Sequence, residues 1–186
     1  MKKLAVFFPG IGYSNDRALL YYSRVIAKQY NFEIVQVNYT GFPDNILGDH
    51  EKKKQCFLTA MEQTEKILSG IDFSQYEDIV FISKSIGTIV AGAYASIHDI
   101  PTRNIYFTPV IETFDYIFNK GISFFGNDDP WIDEKEIIKK CNEKDITYIL
   151  MDECNHSLET GDVESDLTRL KNIMVKVERY IGDYDE

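Results

Sequence analysis

Short apolar runs alternate with longer stretches of helical periodicity along the whole chain. Leu4 to Phe8 reads as a strand, followed by the cap-like Ser14-Asn15-Asp16. From about Arg17 to Gln29 the apolar residues recur at helical spacing, Leu19, Tyr22 and Ile26 among them. Glu33 to Val37 is the next strand, and a loop rich in Gly, Pro and Asn leads to a helix from about Glu51 to Leu68. Asp78 to Ile82 is a strand, and Ile86 to Ile97 a helix of small residues. Strands at Asn104 to Phe107 and Ile122 to Phe125 are bridged by a short segment. A helix near Glu134 to Lys140 precedes a strand at Thr147 to Met151. The last helix carries Leu167, Leu170, Ile173, Met174, Val177 and Ile181 on one face.

No hairpin dipeptide of the Asn-Gly kind joins two of these β-runs, and each is separated from the next by a helical or linking segment. That pattern predicts an α/β three-layer sandwich, with a mostly parallel sheet of about six strands covered on both faces. Crossovers in such a sheet are right-handed. Ligands bind outside the carboxyl ends of its strands, so chemistry is expected just after each β-run.

Length and charge narrow the reading. The 186 residues suit a single domain with one sizeable core, and 44% apolar against 27% charged residues is a globular balance. No apolar run nears the roughly 18 residues of a membrane span. In the opening M-K-K-L-A-V-F-F-P-G, Pro9-Gly10 breaks the run before a leader could form, so it reads as the first strand of a cytoplasmic protein. A net charge of −10 without a basic stripe argues against nucleic acid and anionic membrane as partners. Cys56, Cys141 and Cys154 are odd in number and far apart, with no C-x-x-C pair to indicate zinc. The acidic tail from Asp183 to Glu186 is expected to be frayed and solvated.

The stretch V-F-I-S-K-S-I-G-T-I-V, Val80 to Val90, is where chemistry enters. Ser85 sits on a tight turn between a buried strand and a helix of small residues, the form of a nucleophile elbow. Its neighbours two positions away, Ser83 and Gly87, are small enough to let strand and helix approach. The plainer reading makes Ser85 a helix N-cap in a polar turn. Lys84, adjacent to it, is expected to be an exposed charge rather than a general base, because neighbouring side chains on an elbow point apart.

A serine needs a base, and the base an orienting acid. Of the three histidines, His50 and His98 lie in surface-type contexts. His156 follows the last strand in M-D-E-C-N-H-S-L-E, on the ligand side of the sheet. Between elbow and histidine, I-S-F-F-G-N-D-D-P-W-I places Asp128 and Asp129 in a turn after an aromatic strand, although Asp-Pro is also an ordinary turn opener. Cys154 reads as a turn residue. Singly each residue has a structural explanation, but the order Ser…Asp…His, each just past a β-run, is a shared layout.

On these residues the chain resembles a small, lidless, esterase-like serine hydrolase of the α/β-hydrolase fold. F-I-S-K-S-I-G-T resembles that family's elbow, with Ser83 in place of its first Gly. F-F-G-N-D-D-P-W-I is similar to its G-x-x-D acid loop, and E-C-N-H-S-L-E to its histidine loop. The resemblance implies a triad of Ser85, His156 and Asp129, with Asp128 the alternative acid. V-F-F-P-G-I-G-Y resembles the family's oxyanion loop, Pro9 standing for a histidine. It implies backbone donors at Ile86 and at Ile11 or Gly12. It further implies six strands with Glu33 to Val37 on an edge, and a small acyl substrate without metal or organic cofactor. The segment Thr108 to Gly121 offers one short helix in place of a lid, so a shallow, open pocket is expected, walled by Phe114, Tyr116 or Phe118. Tyr13, with Tyr21 and Tyr22, is a further pocket candidate. A hydrolase-like binding protein with an idle triad is the competing function.

Overall fold

The computed structural model describes residues 2–117 and 120–182. Its elements, in chain order, are β1 (Lys3–Phe8), α1 (Ala18–Gln29), β2 (Phe32–Gln36), α2 (His50–Leu68), β3 (Asp78–Lys84) and α3 (Ile86–Ile97). There follow β4 (Arg103–Phe107), β5 (Gly121–Gly126), α4 (Glu134–Glu143), β6 (Thr147–Met151) and α5 (Val163–Gly182). The six strands form one sheet in the order β2-β1-β3-β4-β5-β6, and every neighbouring pair is parallel. The expected α/β three-layer architecture and the edge position of β2 are both present.

Two apolar layers follow from strand alternation. Ala5, Phe7, Val80, Ile82, Ile105 and Phe107 face Leu20 and Ala27 of α1 and Ile173, Val177 and Ile181 of α5. Leu4, Val6, Phe8 and Phe81 face the opposite way, onto Ala60 and Leu68 of α2 and Val90, Ala91 and Tyr94 of α3. Removing each fully buried Val, Leu, Ile or Phe side chain among them from water contributes about 1.5–3 kcal/mol. The helices start where the chemistry of their first turn allows. Asp49 accepts from the Lys52 amide at 3.0 Å at the head of α2, and Asp133 caps α4 through the Lys135 amide at 2.9 Å.

Several expectations need correction. Strand β3 runs two residues past Ile82, so alternation turns Lys84 inward with Val80 and Ile82; it is 2% exposed, not a surface charge. Leu167 of the last helix is 63% exposed, because the first turns of α5, with Val163, extend into solvent ahead of the buried stripe. The expected tail at 183–186 lies outside the described residues.

Candidate active site

The register brings the ends of β1, β3, β4 and β5 to one rim: Phe8 pairs with Ser83, Lys84 with Phe107, and Phe107 with Phe124. At that rim Ser85 holds φ +54° and ψ −124°, a conformation that ordinary side chains rarely adopt. It is kept there from three sides. The Ser85 amide donates to the Phe107 carbonyl at 3.0 Å, the Thr88 amide donates to the Ser85 carbonyl at 2.8 Å, and α3 begins at the next residue. Gly87 is required, since a Cβ there would lie 2.3 Å from the Phe8 carbonyl oxygen. Ser83 is buried and donates to the Ile105 carbonyl at 3.2 Å, so it knits two strands and presents nothing to the rim.

His156 comes from the turn after β6. Its Nε2 is 2.8 Å from Ser85 Oγ and its Nδ1 is 2.7 Å from Asp129 Oδ2. With the carboxylate ionised, Nδ1 must carry the proton, which leaves Nε2 to accept from the serine. The second carboxylate oxygen of Asp129 accepts from the Trp131 amide at 2.9 Å, and the Asp129 side chain is fully shielded. Asp128 is exposed and takes part only through its amide, which donates to the Cys154 carbonyl at 3.1 Å. Geometry therefore separates the two candidate acids.

The acid and histidine loops are laced together. The Asn127 amide donates to the Met151 carbonyl at 3.2 Å, the Asn127 side-chain amide donates to Asp152 at 3.0 Å, and the Glu153 amide donates to Asn127 Oδ1 at 2.7 Å. Gly126 is pressed so closely on the second loop that a Cβ there would stand 2.0 Å from the Cys154 carbonyl oxygen.

Burial holds the His156 imidazole below the ordinary 6.5, and the nearby Lys84 charge pushes in the same direction; the hydrogen bond and charge of Asp129 oppose both. The result is a neutral imidazole near neutral pH, the state a general base needs. Trp131 stacks on the same ring, with centroids 5.4 Å apart and planes 30° apart.

The oxyanion-loop candidates lie opposite. Gly10 and Tyr13 pinch a turn through paired backbone bonds of 3.0 and 3.3 Å. Ile11 at its tip reaches the cavity beside Ser85 and Ile86, whereas Gly12, at φ +69°, does not line it. Ile86 opens α3, so its amide belongs to the first turn, where helical carbonyls supply no partner.

Ser85 and His156 lie on a cavity of about 600 Å³. Its apolar wall is Ile46, Phe57, Ile89, Val110, Tyr116 and Trp131, and His50 and Lys53 of α2 stand on the rim. Of the walls named from the sequence, Tyr116 lines the cavity, and Phe114 and Tyr13 do not. Phe114 is 2% exposed and packs with Tyr106, Ile117 and Phe125 against α4, while the short 3₁₀ turn Ile111–Asp115 and the residue after it set Glu112, Asp115 and Tyr116 toward the cavity. Phe118 is outside the described residues. Tyr13 is 4% exposed, its hydroxyl accepting from the Leu19 amide at 3.1 Å, and it does not reach the cavity. Tyr21 and Tyr22 are solvent-exposed on α1, edge to face with each other.

The connection between β2 and α2 adds Pro43, Ile46 and Leu47 to the lining, and no residue of it was predicted for the site. It too follows the carboxyl end of a strand, and that position was the available signal. Trp131 was also missed, although it lies two residues beyond Asp129 and is the sole tryptophan of the chain. Among the described residues no cluster of three His, Cys, Asp or Glu side chains is arranged to hold a metal ion, and no helix is long and apolar enough to cross a membrane.

No family profile matches the sequence, and no curated protein sequence matches it. Solved structures do. An α/β serine hydrolase homologue from Coxiella burnetii superposes with a TM-score of 0.69 at 13% identity, covering 96% of this chain and 84% of its own. Est1E from Butyrivibrio proteoclasticus, with ferulic acid bound, gives a TM-score of 0.71 at 10% identity over 97% of this chain and 88% of its own. XC6422 from Xanthomonas campestris, a serine hydrolase without a lid, gives 0.62 at 12% identity over 98% and 82%. Such low identities speak for architecture, and together with the six parallel strands they establish that the chain has the α/β-hydrolase fold in a small form.

Proposed function

We propose that the protein is a serine hydrolase that cleaves a small ester, thioester or related acyl bond, carboxylesters first. The observation that carries this reading is the unbroken chain Ser85 Oγ–His156–Asp129, at 2.8 and 2.7 Å, opening on an apolar cavity. In it, Ser85 Oγ attacks the substrate carbonyl carbon as its proton passes to His156 Nε2. The carbonyl oxygen becomes an oxyanion, received by the amides of Ile86 and Ile11; loss of one such donor typically raises the barrier by about 2.7–4 kcal/mol. Collapse breaks the bond to the leaving alcohol or thiol, which takes the proton from His156. Water, deprotonated by the same imidazole, then releases the acid and restores Ser85. Asp129 holds the ring in the right tautomer and offsets its transient charge. The wall of Ile46, Phe57, Ile89 and Trp131 suits an aryl or short aliphatic group, of the kind of the ferulic acid held by Est1E.

The test is titration with a fluorophosphonate probe, with Ser85→Ala as control. Stoichiometric labelling that is lost in the variant is expected. Folded wild-type protein that takes no label sinks the proposal and leaves the idle-triad binding protein. A series of p-nitrophenyl esters of rising acyl length then ranks substrates.

A further inference from the structure

Lys84 is a fully buried cation directly before the nucleophile, and nothing in the triad uses it. Lysine is almost never buried without a paired acid. Among the described residues no carboxylate lies within 4.0 Å of its nitrogen. Its stem runs beneath the candidate oxyanion turn: a Cβ on Gly10 would sit 3.1 Å from Lys84 Cδ. The ammonium then ends over the ring of Tyr13, 5.1 Å from the centroid. Gly10 and Tyr13 are the two residues whose paired backbone bonds close that turn. One side chain thus touches both feet of the loop that presents Ile11. A methionine would fill the same space without the penalty of a buried charge.

We propose that Lys84 is a positioning residue whose side chain braces the Gly10–Tyr13 turn, and with it Ile11, from behind. The inference rests on the serine-hydrolase reading above. The charged and titratable groups around Lys84 are Tyr13 from the loop after β1, Arg17 before α1, Asp129 after β5, and His156 and Glu159 after β6. Asp129 and Glu159 favour the ammonium, while Arg17 and a protonated His156 oppose it. Burial outweighs the acids and pulls the Lys84 amine down to about 7, so its charge changes close to the working range of the histidine. A proton on His156 and a proton on Lys84 therefore disfavour each other.

Three variants and two readouts test this. Fluorophosphonate labelling rates and the NMR titration of the His156 ring are followed against pH in wild type, Lys84→Met and Lys84→Arg. Lys84→Met, which removes the ammonium from the Tyr13 ring, is expected to slow labelling about tenfold even where the His156 ring is neutral, and to move the ring titration to higher pH. Lys84→Arg, which keeps a permanent charge over Tyr13, holds the labelling rate near wild type and the ring titration at or below its wild-type position. Tyr13→Leu, which removes the platform of the brace, is expected to slow labelling about tenfold without displacing the ring titration upward as Lys84→Met does. A lysine that only fills space leaves the labelling rate untouched, and an unchanged rate in folded Lys84→Met overturns the proposal. If Lys84→Met does not fold, Tyr13→Leu decides, and an unchanged labelling rate in that folded variant refutes the brace. Absence of labelling in wild type would instead refute the hydrolase reading, while the ring titration still reports on Lys84.

Discussion

Replacing Ser85 by glycine and by alanine separates the strain of the elbow from the loss of its hydroxyl. Both variants remove the hydrogen bond to His156 equally, about 0.5–1.5 kcal/mol. They differ in the backbone. At φ +54° and ψ −124° a residue with a Cβ costs about 1–3 kcal/mol, and glycine avoids that cost. Glycine also gives the unfolded chain more freedom, which returns about 0.4–1 kcal/mol of the gain. Ser85→Gly is therefore expected to be more stable than Ser85→Ala by about 1 kcal/mol, or roughly 2–4 °C of melting temperature at this chain length. Calorimetric melts of the two variants, side by side in one buffer, measure the difference, and neither protein should take the fluorophosphonate label. An alanine variant that melts at or above the glycine variant would refute the idea that the fold stores strain at this residue.

Three other outcomes follow from the same geometry. Asp129→Asn is expected to lower the labelling rate about 10⁴-fold by stranding His156 in the wrong tautomer, while Asp128→Asn stays close to wild type; rates of both variants check it. Protonation of His156 removes the base, so the wild-type rate falls as pH drops. Because burial depresses the imidazole, its half-loss lies below pH 6.5, which a labelling profile reads directly. Gly87→Ala thrusts a methyl group onto the Phe8 and Pro9 carbonyls, at 2.3 and 2.6 Å, and is expected to cost at least about 1–3 kcal/mol in a urea titration of stability.

The parallel sheet was legible because it needs little beyond local pattern: apolar runs without hairpin turns, separated by helical periodicity. Ser85 was legible for a related reason, since a strand, a sharp turn and small helical residues are all local. The approach of His156 and Asp129 to it rested on where parallel strands end. What escaped the sequence depends on which way a side chain turns once elements pack. Lys84 was taken for a surface charge on the ground that neighbouring side chains on an elbow point apart, and its inward direction follows from the two strand residues beyond Ile82. Tyr13 and Phe114 carry the aromatic bulk of pocket walls, yet both face inner layers. Ile46 and its neighbours come from a segment without periodicity, so only the folded chain reveals that they line the cavity.

The lacing of the loops after β5 and β6 divides the machinery unequally. Base and acid arrive as one welded block, with Gly126 crowded against the backbone beside Cys154, and the hydroxyl meets that block through a single 2.8 Å bond. On the proposed reading, the contact between Ser85 and His156 is therefore the one expected to open first. Readiness to attack, rather than the make-up of the base, is then the quantity that temperature and denaturant would erode before the fold itself gives way.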